Sequence, residues 1–180
     1  MSALSINIIT VSRILFLIPI AILLLSGGKS WAVVGLFIAG GITDFLDGWL
    51  ARRLGKTSSL GAMLDQICDK IFVLGALIIM AAAGFLQGIM LVPVLLILVR
   101  EFMVSGLREL SAQQQTTIPV DKLGKIKTAC QFAAIVFMLV PALCHACVIL
   151  NHIGAGLLWC AALLGLISAA RYARPLFKRT

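Results

Sequence analysis

Six long apolar stretches run almost end to end through this chain, at roughly 6–26, 31–52, 59–83, 88–110, 121–143 and 154–173. A helix that crosses a bilayer needs about 20 mostly apolar residues, and each stretch meets that length. Hydrophobic residues are 61% of the 180 and charged residues 12%, with a mean hydropathy of +1.10, far from the balance of a soluble domain. The expected fold is an all-α integral membrane protein with six transmembrane helices, and too little sequence remains for a second domain beside residues 1–180. The first stretch lacks a charged n-region and a convincing small-residue cleavage site, so it reads as a retained helix rather than a secretory signal. Breaks are expected at Ser26-Gly27-Gly28-Lys29, at Gly84 to Gly88, and at Ser111 to Thr117 before Pro119, all runs of turn-forming or helix-stopping residues.

The net charge of +8 comes with only 7% aromatic residues, and no basic patch is interleaved with stacking side chains, which argues against nucleic acid as a partner. Topology accounts for the charge. With six spans and both termini on one side, 14 of the 15 Lys and Arg residues fall on that side and only Lys29 on the other, so the positive-inside rule puts both termini in the cytoplasm. Lys127 and the terminal Arg171, Arg174, Lys178 and Arg179 read as anchors to anionic lipid. Five cysteines, an odd number scattered through the spans, give no disulfide framework. Cys144, His145, Cys147 and His152 read as ordinary packing.

Four of the seven acidic residues, Asp44, Asp47, Asp65 and Asp69, lie inside otherwise apolar helices. Each such carboxylate costs about 2.5–3.5 kcal/mol at a span's centre, so the four require a strong partner or shallow placement. Asp44 and Asp47 are three apart and Asp65 and Asp69 four apart, so each pair projects from one helix face. If the second helix turns near Arg53 and the third starts near Ser58, Asp47 and Asp65 both stand roughly 10 Å from the hairpin end, with Asp44 and Asp69 a turn deeper. Four carboxylates gathered there need cations between them. All-oxygen ligation suits two divalent ions such as Mg2+ or Mn2+, while a purely structural network with Arg52 and Arg53 is the alternative. Gly48, Ala51 and Gly61 flank the acids and leave backbone open to a ligand, or serve close helix packing.

Asp44-Phe-Leu-Asp47-Gly48-Trp-Leu-Ala51-Arg52, followed after eight residues by Gly61-Ala-Met-Leu-Asp65-Gln-Ile-Cys-Asp69, resembles the signature of the CDP-alcohol phosphotransferase family. The resemblance implies a membrane enzyme, usually a homodimer, that moves a substituted phosphate from a CDP-linked donor to an alcohol and releases CMP. Residues 1–180 then form a single catalytic domain. Asp44, Asp47, Asp65 and Asp69 would be the metal ligands, with Asp69 also the base for the acceptor hydroxyl. Asp47, Gly48, Ala51, Arg52 and Gly61 would form the CDP pocket. Asn7, Thr10 and Arg13 resemble the N-x-x-T-x-x-R opening of such enzymes, although Ile6 stands where relatives often have Pro. Asn7 would touch the nucleotide or cap a helix.

The segments Arg100-Glu101-Phe-Met-Val-Ser105-Gly106-Leu-Arg108-Glu109 and Gly124-Lys125-Ile-Lys127-Thr128-Ala-Cys-Gln131 are similar to those of family members that use CDP-diacylglycerol as donor and glycerol 3-phosphate as acceptor. Arg100, Arg108 and Lys125 would then hold the acceptor's phosphate. An internal ion pair with Glu101 is the alternative for Arg100, and headgroup contact for Arg108 and Lys125. The expected setting is a bacterial-type inner membrane, surrounded by membrane lipid, with the active site facing the cytoplasm. Serine, inositol phosphate or phosphatidylglycerol as acceptor, and divalent-cation transport, are the rival readings.

Overall fold

Six α-helices and no strand occur among the residues that the computed structural model describes, 12–28, 31–53, 59–113, 122–140 and 148–177; side chains are described at these except 44–53, 59, 60, 62, 65, 110, 112, 113, 122, 123, 125 and 174–177. They are α1 (Leu17–Leu25), α2 (Trp31–Arg53), α3 (Ser59–Ala82), α4 (Leu91–Gln113, entered through a 3-10 turn at Gly88–Met90), α5 (Lys122–Leu139) and α6 (Val148–Phe177).

The helix ends follow from local chemistry. At the end of α1 the Gly28 N–H donates to the Leu23 carbonyl at 2.9 Å and the Gly27 N–H to Leu24 at 3.2 Å, with Gly27 at φ 76°. The end of α3 repeats the device: Phe85 donates to Met80 at 2.9 Å and Gly84 to Ala81 at 3.1 Å, with Gly84 at φ 81°. Only glycine takes that left-handed conformation without strain, and the paired bonds cap carbonyls that the helix leaves open. Residues 12–15 are helical, but the chain breaks at Phe16 before α1 resumes. Pro19 is the cause, because it has no N–H for the Leu15 carbonyl and its ring crowds that oxygen.

Two boundaries differ from the hydropathy reading. Helix α5 gives way to 3-10 geometry at Val140, just before Pro141, where the hydropathy stretch runs on to 143; residues 141–147 lie outside the described residues. Helix α6 begins at Val148 instead of 154, with exposed Asn151 and His152 carried on its first turns. Polar side chains that face outward do not interrupt a backbone ladder, so hydropathy alone puts this start too late.

Among the described residues, Gly88–Glu109 and Val148–Ala173 are long and apolar enough to cross a membrane, and the apolar helical stretches Ser12–Leu25, Trp31–Thr43 and Ile126–Leu139 are shorter. Polarity is inverted relative to a soluble protein. On α4, Leu95, Val99, Phe102 and Met103 face outward, Phe102 at 69% exposure, while Arg100 and Glu101 are buried. An outward apolar stripe around an inward charged one is stable in lipid and not in water.

By contact the chain divides into two compact units, one within Met1–Leu86 and Leu139–Val148, the other within Gln87–Met138 and Ile149–Thr180. In the first, α1 packs on both α2 and α3, and buried Phe37 of α2 stacks on buried Phe72 of α3 with ring centroids 5.2 Å apart and planes 10° from parallel. In the second, Gly154 of α6 lies against α5 so closely that a Cβ there would be 3.0 Å from the Ala134 carbonyl oxygen and 2.6 Å from Met138 Cγ.

Candidate active site

The α2–α3 pair carries the aspartates. Its point of close approach is Gly40, where an added Cβ would lie 2.4 Å from Phe72 Cζ. Gly40 is 13 residues before Arg53, where α2 ends, and Phe72 is 13 residues after Ser59, where α3 begins. Both therefore stand about 20 Å from the ends that the short connection joins, as in an antiparallel hairpin.

Asp44 and Asp47 fall within α2 and Asp65 and Asp69 within α3. Asp69 is half-buried, as is Gly61 in the first turn of α3; the side chains of Asp44, Asp47, Ala51, Arg52 and Asp65, and all of Asn7 and Thr10, lie outside the described residues. Among the described residues no three His, Cys, Asp or Glu side chains gather into a group. Cys68, next to Asp69, is buried and projects about 100° away around the helix. Arg13 is buried at 1% exposure within the first unit.

The second unit is tied together by a polar cluster. Arg100 of α4 donates Nε to the Gly165 carbonyl at 3.2 Å and Nη2 to Ser168 Oγ at 3.2 Å, both on α6, and Nη1 to Glu101 Oε1 at 2.9 Å. Lys127 of α5 donates Nζ to the same carboxylate oxygen. Gly165 faces the stems of both cations, each 3.5 Å from where its Cβ would be. Arg100, Glu101, Lys127 and Ser168 are all buried. Of the two readings open for Arg100, the internal ion pair is the one its side chain makes.

Lys127 corrects its reading as a lipid anchor: it points inward because Glu101 offers a buried counter-charge.

Further along the same faces, half-buried Arg108 donates Nη2 to the Tyr172 hydroxyl at 3.3 Å and lies with Cζ 5.4 Å from the ring centroid. Tyr172 is buried beside Val104, Ala169 and Leu107. The sequence reading missed it, although it is the one tyrosine in the chain. Arg100 opposite Gly165 and Ser168, then Arg108 opposite Tyr172, makes α4 and α6 parallel. Lys127 opposite Gly165, then Ala134 and Met138 opposite Gly154, makes α5 antiparallel to α6. The side chain of Lys125 lies outside those described.

The sequence matches the CDP-alcohol phosphatidyltransferase family over residues 4–167. The chain belongs to that family, whose members are generally divalent-metal dependent, and with its apolar spans it is a membrane protein. A CDP-diacylglycerol–glycerol-3-phosphate 3-phosphatidyltransferase of Rickettsia typhi is 38% identical over 169 residues, covering 92% of this chain and 93% of the relative. Proteins of the same name from Cereibacter sphaeroides (42% identical; 73% of this chain, 61% of the relative) and, as a chloroplastic/mitochondrial form, from Arabidopsis thaliana (37% identical; 82% and 53%) are also similar.

Proposed function

We propose that this protein transfers the phosphatidyl group of CDP-diacylglycerol to glycerol 3-phosphate, giving phosphatidylglycerophosphate and CMP. The observation that carries the site assignment is the register of α2 against α3. Asp44 and Asp47 follow Gly40 by four and seven residues, and Asp69 and Asp65 precede Phe72 by three and seven. Both spacings return to the helix face of the contact residue. In an antiparallel hairpin, seven steps from Gly40 and from Phe72 bring Asp47 level with Asp65, and four and three steps bring Asp44 within about 1.5 Å of the level of Asp69.

The four carboxylates suit two Mg2+ or Mn2+ ions, because hard divalent cations take oxygen ligands. When bound there, such ions neutralise the donor's diphosphate and make its phosphorus more electrophilic. Arg52 meets the diphosphate in bidentate fashion. Asn7, Asp47, Gly48, Ala51 and Gly61 form the CDP pocket, where small residues admit the nucleotide to the backbone. Arg108 and Lys125 hold the acceptor's phosphate, and Arg100 adds its charge from the buried cluster. Asp69 takes the proton of the acceptor hydroxyl as that oxygen attacks the phosphorus bearing diacylglycerol, and the bond to the CMP oxygen breaks in the same displacement. Among the described side chains of α2 and α3 the single Ser, Cys or His is Cys68, which is buried and about 100° around the helix from Asp69, and this favours direct displacement over a covalent enzyme intermediate.

The finer topology follows the same reading: six spans, both termini and the catalytic face in the cytoplasm, a bacterial-type inner membrane, and a homodimer. The alternating directions of α4, α5 and α6 support it. The test is CMP release by the purified protein given CDP-diacylglycerol with glycerol 3-phosphate, serine, inositol phosphate or phosphatidylglycerol in turn, with and without Mg2+. Turnover with glycerol 3-phosphate and Mg2+ is expected; turnover only with another alcohol refutes the acceptor, and metal flux into liposomes without CMP refutes the enzyme.

A further inference from the structure

Arg108 is the one described cation in the second unit that is only half-buried while held by a named partner; Arg100 and Lys127 are fully enclosed. Its partner is unusual in making two contacts at once. The Tyr172 hydroxyl accepts from Nη2, and the ring lies under the guanidinium. Tyr172 is itself fixed by Val104, Ala169 and Leu107, and α6 is fixed to α4 eight residues away by Arg100 bonding to Gly165 and Ser168. An arginine has five N–H donors, and one is engaged by the hydroxyl, so a guanidinium held this way keeps donors for an anion.

We propose that Tyr172 is a positioning residue for acceptor binding: it holds the Arg108 guanidinium in one orientation before a phosphate-bearing acceptor arrives. This rests on the assignment of Arg108 to the acceptor's phosphate. The physical basis is preorganisation. Freezing a free, rotamer-rich side chain on binding costs about 0.5–1.5 kcal/mol, so loss of the tyrosine's hold weakens acceptor binding about two- to tenfold. Lysine cannot replace arginine here, because it lacks the planar group that stacks on the ring while bonding the hydroxyl.

The test is steady-state kinetics on the full-length protein in phospholipid nanodiscs, with glycerol 3-phosphate and CDP-diacylglycerol varied separately. Tyr172→Phe keeps the ring and the packing and removes the hydroxyl. It is expected to raise KM for glycerol 3-phosphate about two- to tenfold, with kcat and KM for CDP-diacylglycerol unchanged, and to have no further effect when Arg108 is already alanine. Arg108→Lys, which leaves Tyr172 and its core intact, is expected to raise the same KM. If Arg108→Ala raises the glycerol 3-phosphate KM but Tyr172→Phe and Arg108→Lys do not, the positioning role is wrong while the acceptor assignment stands. If Arg108→Ala leaves that KM unchanged, the assignment itself fails and the inference with it. A Tyr172→Phe effect that persists without Arg108, or that moves kcat and both KM values together, also overturns the proposal.

Discussion

Replacing Glu101 by glutamine tests the buried cluster of the second unit without changing its shape. One carboxylate oxygen accepts from both Arg100 Nη1 and Lys127 Nζ, and all three residues are enclosed. The native cluster holds two cations and one anion. Glu101→Gln removes the carboxylate that both enclosed cations share, and removing one partner of a buried pair costs about 3–5 kcal/mol. The amide oxygen still accepts a hydrogen bond, which offsets about 0.5–1.5 kcal/mol, so a net loss of about 2–4 kcal/mol is expected.

Lys127→Met restores balance by leaving Arg100 and Glu101 alone together, so its stability should stay within about 1 kcal/mol of the parent, its lost pair offset by packing of the methionine. The double variant E101Q/K127M leaves Arg100 as a single unpaired cation and should fall between the two single variants. Unfolding equilibria of the purified protein in mixed micelles, titrated with a denaturing detergent, measure these differences. A Glu101→Gln variant within 1 kcal/mol of the parent, or a double variant less stable than Glu101→Gln, would refute a cluster governed by charge balance.

Gly40→Ala should cost about 1–3 kcal/mol and reduce CMP release, because its Cβ would meet Phe72 at 2.4 Å and that ring is already stacked on Phe37; full activity and stability would remove this contact from the site's support. Gly154→Ala should be similarly costly, since its nearest obstacles include the backbone of α5, whereas Gly165→Ala, with only ordinary 3.5 Å contacts, should stay within about 0.5 kcal/mol or gain slightly from helix propensity; equal effects in an unfolding titration would contradict the geometry. Asp69→Asn should lower CMP release by at least about 100-fold with the fold retained by circular dichroism, and retained turnover would remove its role as base. Chelation by EDTA should abolish turnover and added Mg2+ or Mn2+ restore it; activity indifferent to both would exclude the metal assignment.

The helices were legible because their causes are local. Apolar length sets where α2, α3 and α4 run, and glycine in the left-handed region closes α1 and α3. That Asp44 and Asp47 fall within one helix and Asp65 and Asp69 within the next was legible too, since apolar length marks both helices whatever surrounds them. Only tertiary structure decided the fate of the cations. Arg13, Arg100 and Lys127 look alike in a sequence count of positive charge, yet each is enclosed, and Lys127 turns inward to a carboxylate 26 residues away. Whether a charge faces lipid headgroups or a buried partner depends on what the opposite helix presents. That pairing is set by how the helices pack, and no property of the single residue carries it.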